Sequence, residues 1–175
     1  EETDYQADTL NFAINQDVFG GLTTITLGYG SGADEVSRRG DEVFAEEVDR
    51  HAYRLGVTQV ITRNLIMGLS YEAVADEGYL NNPYRQVRYV DPADPTSWLT
   101  QGEVYPETRA SNAVAIRGKY HLPYRAAVSG EYRFFTDDWG IDAHTVEVGY
   151  VHPFRARWLF DVRYRFYTQS AADFF

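Results

Sequence analysis

The nine residues WLFDVRYRF, Trp158 to Phe166, decide how this chain is read. Every second residue is bulky and apolar: Trp158, Phe160, Val162, Tyr164 and Phe166. Between them stand Leu159, Asp161, Arg163 and Arg165, three of the four charged. A period of two is the pattern of a β-strand, whose successive side chains point to opposite faces. One face of this strand is a row of rings and branched chains, and the other is a row of charges.

The same alternation recurs along the chain, and helical periodicity is almost absent. LNFAINQDVF (10–19) and TTITLGYG (23–30) flank Gly20-Gly21 and read as a hairpin. AYRLGVTQVI (52–61) and MGLSYEA (67–73) flank Arg63-Asn64. NAVAIRGKYHL (112–122) and AAVSGEYRFF (126–135) flank Pro123-Tyr124, with Pro123 read as a stop. VEVGYVHPF (146–154), with Pro153 read as another stop, leads into the opening stretch. The reading is therefore all-β: eight antiparallel strands in four up-and-down hairpins. The connectors within hairpins are tight. Those between hairpins are mostly longer, about Ser31 to Arg50, Asp76 to Thr108 and Thr136 to Asp142. Tight turns at one end and long loops at the other is the habit of outer-membrane barrels, and strands of about 9–11 residues suit a tilted crossing.

Bulk properties narrow the classes. Sixteen Lys and Arg against 26 Asp and Glu leave a net charge of −10, the wrong sign for a general nucleic-acid binder. Without cysteine there is no disulfide framework, no Cys-ligated zinc and no thiol chemistry. No apolar run reaches the roughly 18–20 residues of a membrane-spanning helix. Aromatics are 15% of the chain although mean hydropathy is −0.43, so the chain is polar on average yet rich in large amphipathic rings.

Two arrangements of the faces compete. In a soluble lipocalin-like barrel the apolar face points inward around a ligand. In a transmembrane barrel it meets lipid and the polar face lines the lumen. The aromatic residues lie toward the strand ends, as interfacial girdles do. The other face is rich in Gly, Ser, Thr, Ala and Asn rather than the Lys and Glu of a solvated surface. Its charges carry both signs, as expected where they pair across a lumen. The expectation is a transmembrane barrel in the outer membrane of a Gram-negative bacterium. Tyr29, Tyr53, Tyr71, Tyr120, Phe134, Tyr150, Trp158, Phe160, Tyr164 and Phe166 face lipid. Arg109, Arg117, Lys119, Arg125, Glu131, Arg133, Glu147, Asp161, Arg163 and Arg165 line the lumen. Seven basic members against three acidic ones would bias that lumen toward anions, unless the charges form a pairing network that stiffens the wall or seats a plug. The closing TQSAADFF reads as the start of a loop, so the eight strands are expected to be interior staves of a larger barrel.

The stretches YVDPADPTSW (89–98), YPETRASNAVAIRGKYHLPYRAAVSGEYRFFTDDWGIDAHTVEVGYVHPF (105–154) and WLFDVRYRFYTQSAADFF (158–175) resemble the Gram-negative family known as domain of unknown function 3570. That resemblance implies an outer-membrane barrel roughly twice this length. It brings no established reaction. Genes of the family tend to lie beside those for small lipoproteins, thioredoxin-like proteins and flavin-attaching enzymes. The implied partners are therefore outer-membrane lipid and a lipoprotein or other subunit of a membrane assembly.

Candidate chemistry is sparse. His51, His121, His144 and His152 have no metal-ligand spacing, and the residues indicate no cofactor and no metal. Asp137, Asp138 and His144 near one rim are the best candidates for an outer-membrane enzyme, although Thr136-Asp137-Asp138-Trp139-Gly140 is also ordinary turn composition. GADEVSRRGDEVFAEEVDR (32–50) concentrates Asp34, Glu35, Asp41, Glu42, Glu46, Glu47 and Asp49. It reads as an external loop with a helical turn near Val43–Val48, with oxygen ligands for Ca²⁺ as the sharper alternative. GYGSG (28–32) reads as a flexible exit from its strand, and DPADPTSW (91–98) as a rigid loop.

Overall fold

The computed structural model describes residues 4–155 and 157–174, with the Glu42 side chain outside the description. Eight strands form one antiparallel sheet: β1 (Tyr5–Val18), β2 (Thr23–Arg38), β3 (Asp41–Thr62), β4 (Leu65–Gly78), β7 (Thr108–His121), β8 (Ala127–Asp137), β9 (Asp142–Phe154) and β10 (Trp158–Gln169). Each pairs with its neighbour in the chain, so the sheet is a simple meander. A second, two-stranded sheet, β5 (Gln86–Asp91) and β6 (Asp94–Gly102), stands in the connector between β4 and β7. The large sheet is open, because β1 and β10 each have one unpaired edge.

The register carries the two-residue alternation across every strand. Ile14, Leu27, Leu55, Tyr71, Val114 and Phe134 are successive partners from β1 to β8. The facing rows are mostly small or polar, as in Ala13, Gly28, Arg54, Glu72 and Ala113, a row that ends at Phe135 on β8. Burial runs opposite to that of a soluble sheet. On the apolar face of the interior strands Leu27 and Leu69 are each 54% exposed. On the polar face Ala113 and Ala143 are exposed by only 6% and 4%. Among the described residues no helix or other strand layer packs on the polar face, since the strands touch only their neighbours in the meander. Side chains buried without a covering layer are shaded by others on the same face, which makes the polar face the inside of a curved sheet.

The apolar band slopes across the strands. Its midpoint on β1 is Ile14, within Leu10–Val18, and on β10 it is Val162, within Trp158–Phe166. Following the register from Ile14 through seven strand pairings ends at Thr168, six residues beyond Val162. At about 3.3 Å per residue and 4.8 Å per strand, that is about 20 Å of shift over about 34 Å of sheet. The band is therefore inclined by about 30° to the hydrogen-bonded rows, close to the strand tilt of closed barrels.

Several sequence expectations are corrected. The stretch Ser31–Arg50 is not a loop: β2 and β3 run on through it and turn at Arg39-Gly40, leaving no helical turn at Val43–Val48. GYGSG accordingly lies inside β2. DPADPTSW forms the tip and first residues of the β5–β6 hairpin, with the Arg88 guanidinium 5.5 Å from the Trp98 ring. Pro153 does not stop β9. It lies past Val151, the last residue of β9 that β8 pairs, where a missing N–H costs no ladder bond to β8. The turn at Phe19–Gly21 takes φ of 53°, 68° and 82° in succession, and glycine removes the left-handed strain at the last two positions.

Candidate functional site

The polar face carries two belts of charge. Measured along each strand from the midpoint of its own apolar run, Arg54, Glu72, Arg117, Lys119, Glu131, Arg133, Glu147, Asp161, Arg163 and Arg165 all lie within three residues of the middle. Strands lacking hydrogen-bonded neighbours in common thus bring their charges to one level. Asp34, Arg50, Asp76, Arg109 and Asp137 form a second belt, five to eight residues toward the β2–β3 turn end. Its signs alternate across five adjacent strands, β2, β3, β4, β7 and β8.

The second belt is built from direct pairs. Arg50 Nε lies 2.6 Å from Asp76 Oδ1. The Tyr5 hydroxyl donates to the Asp34 carboxylate, which raises the Tyr5 pKa above its ordinary value because ionisation would cost that bond. Arg109 donates from Nε and Nη2 to Asp137 Oδ2, at 2.9 and 2.6 Å. The other Asp137 oxygen accepts the backbone N–H groups of Trp139 and Ile141, at 3.1 and 2.8 Å. Arg109 also lies 4.8 Å from the Trp139 ring centroid, and the Trp139 indole N–H donates to the Thr108 carbonyl. The Asp137 side chain is 0% exposed.

In the middle belt Glu72 is shared: Arg54 Nε is 2.8 Å from one of its oxygens, and Arg133 Nη2 is 3.9 Å from the other. Arg133 reaches Glu72 across β7, over the small side chains of Ala113 and Ala115. Arg163 pairs with Asp161 at 3.3 Å. Gly68 makes room for its cross-strand partner, since a Cβ there would stand 3.1 Å from Arg117 Cγ.

All ten residues expected to face lipid lie on the exposed apolar face. Of the ten expected to line a lumen, nine lie on the sheltered polar face. Arg125 does not: it sits in the β7–β8 turn with φ of 66°. Arg54 and Glu72 are legible as polar-face residues, whereas Asp34, Arg50 and Asp76 fall in stretches that read as loops. Their place on the polar face shows only in the fold, where buried Gly32, Asp34 and Val36 alternate with exposed Ala33 and Glu35.

The rim residues do not converge. Asp137 lies on the polar face, held by Arg109 and its own turn, while His144 lies on the apolar face with its Nδ1 2.8 Å from the Tyr132 hydroxyl. His51 and His152 are held the same way, by Tyr29 at 3.0 Å and Tyr150 at 2.7 Å. The acids of Asp34–Asp49 are divided between the two faces of a hairpin, with Asp34 and Glu46 on one and Glu35, Glu47 and Asp49 on the other. Among the described residues no three His, Asp or Glu side chains are placed to hold a metal ion.

The family model described as protein of unknown function DUF3570 matches residues 1–175, and the chain belongs to that family. No curated protein and no solved structure matches the chain.

Proposed function

We propose that the sheet is wall of an outer-membrane β-barrel in a Gram-negative bacterium, with the apolar face against lipid and the belted face lining a polar lumen. The barrel serves as a channel, or as the shell of a transport, export or electron-transfer assembly that includes a lipoprotein or another subunit. The observation that carries this reading is the sloping apolar band on the outside of the curve. A planar bilayer crossed by tilted strands imposes such a slope, and its edges fall at different residues on successive strands. The free edges of β1 and β10 fit further staves, because an unpaired edge has no place in hydrocarbon. A lipocalin-like binder needs the apolar face inside, opposite to the observed burial.

Fractionation and gel mobility test the proposal. The protein should partition with outer membranes, need detergent for extraction and change mobility on boiling. A monomer that stays in solution without detergent would refute it.

A further inference from the structure

Across strands β3, β4 and β7 to β9, the middle belt borders a groove of about 380 Å³ whose polar lining is Thr58, Arg117, Lys119, Ser129, Glu131 and Glu147. Its four charges differ from five of the other six in the belt. Arg54, Glu72, Arg133, Asp161 and Arg163 are all in ion pairs. Among the described residues, Arg117, Lys119, Glu131 and Glu147 have no opposite charge within 4.0 Å, and Arg117 has one side-chain hydrogen bond, to Ser70. Glu131 and Glu147 are direct cross-strand partners, an unfavourable arrangement for like charges, and their outer partners Arg117 and Arg165 stand opposite them without closing an ion pair. Arg117 and Lys119 lie two residues apart on β7, on the same face. The groove is thus cationic along β7 and anionic on β8 and β9, whose backbones lie about 4.8 and about 9.6 Å away. The hydroxyls of Thr58 and Ser129 line it as well.

We propose that this groove binds a small zwitterion of the amino-acid or short-peptide class. Its ammonium lies between Glu131 and Glu147, and its carboxylate lies on Arg117 and Lys119. The groove belongs to the sheet itself, so the inference stands or falls independently of the membrane proposal. The test is calorimetric titration of the folded protein at low salt with glycylglycine, sodium acetate and methylammonium chloride in turn. Glycylglycine should bind at least about tenfold more tightly than either single-charge probe. Glu131→Gln and Glu147→Gln should each weaken it by about tenfold, the loss expected for a charged hydrogen bond. Asp94→Asn, at the β5–β6 tip, should leave it unchanged. Gel mobility and circular dichroism of each variant separate lost binding from lost fold. Equal affinity for acetate, or no binding of glycylglycine by folded wild-type protein, overturns the inference. The latter is expected if Arg117–Glu131 and Glu147–Arg165 pair internally. Binding of Ca²⁺ lost in Glu131→Gln, without zwitterion binding, overturns it in favour of a cation site.

Discussion

Three arginine substitutions on the apolar face separate depth in a bilayer from position in the sheet. Leu27 and Val162 are the midpoints of the apolar band on β2 and β10. Thr168 lies on the same hydrogen-bonded row as Leu27 but six residues from Val162 on β10. With strands tilted by about 30°, six residues correspond to about 17 Å of depth. That exceeds the roughly 12 Å half-height of a barrel's apolar band. Leu27→Arg and Val162→Arg should therefore each cost about 2–4 kcal/mol, and Thr168→Arg about 0–1 kcal/mol. Equilibrium urea unfolding from phospholipid vesicles, followed by tryptophan fluorescence, reads all three. The tilt argument is refuted if Thr168→Arg costs as much as Leu27→Arg, because cost would then follow the hydrogen-bonded row. The membrane reading is refuted if all three stay within about 0.5 kcal/mol, as substitutions on a solvated surface do.

Other perturbations probe particular contacts. Asp137→Ala strands Arg109 and two backbone N–H groups, and should destabilise by about 3–5 kcal/mol in denaturant titration; Asp137→Asn, which keeps an acceptor, should cost less. Gly78→Ala should be worse than Gly140→Ala in thermal melts. At Gly78, with φ of 120°, a Cβ would lie 2.1 Å from the Glu47 carbonyl oxygen, whereas at Gly140 it meets only the movable Asp173 carboxylate. The raised pKa of Tyr5 means its contribution is complete below the ordinary value of 10.0 and fades as pH rises past it, so Tyr5→Phe should flatten that alkaline loss of stability. In planar bilayers under a salt gradient, reversal potentials should show a modest anion preference, because the middle belt holds six basic residues against four acidic ones; clear cation preference would contradict it.

The strands are legible where the two faces differ in chemistry. Trp158–Phe166 and Val114–Tyr120 alternate because one side is apolar and the other is not. Beyond the band that contrast disappears: Asp34, Glu35, Glu46, Glu47 and Asp49 put carboxylates on both faces of β2 and β3, so the sequence there has no period of two. Backbone ladder bonds carry the strands onward regardless. Proline hides structure in a second way. Pro92 and Pro95 punctuate a stretch that still forms a hairpin, and Pro153 sits where only one neighbour needs a ladder bond. The pairings inside the charge belts are not legible without register. Arg117 opposite Glu131, and Glu131 opposite Glu147, are facts of strand pairing, and the reach of Arg133 to Glu72 depends on alanines intervening on β7.

Burial and slope are independent observations, and few architectures satisfy both. Burial alone fixes which face is inside the curve: Ala52, Ala113, Ala115 and Ala143 are hidden while Leu27, Leu55, Val148 and Val162 are not. A sandwich would hide the latter set beneath a second layer, but the described residues supply no such layer, since β5 and β6 touch only each other. Slope alone fixes how the strands lie relative to whatever covers the apolar face. A covering protein layer follows the sheet's own twist, whereas a fluid slab of fixed thickness cuts tilted strands along one plane. The middle belt adds a third constraint. Its ten charges align only when position is measured from the band rather than along the hydrogen-bonded rows, where Arg54 and Arg165 stand on different rows altogether. Side chains pointing to opposite faces of the sheet thus share one frame of reference, which is what the proposed bilayer would supply.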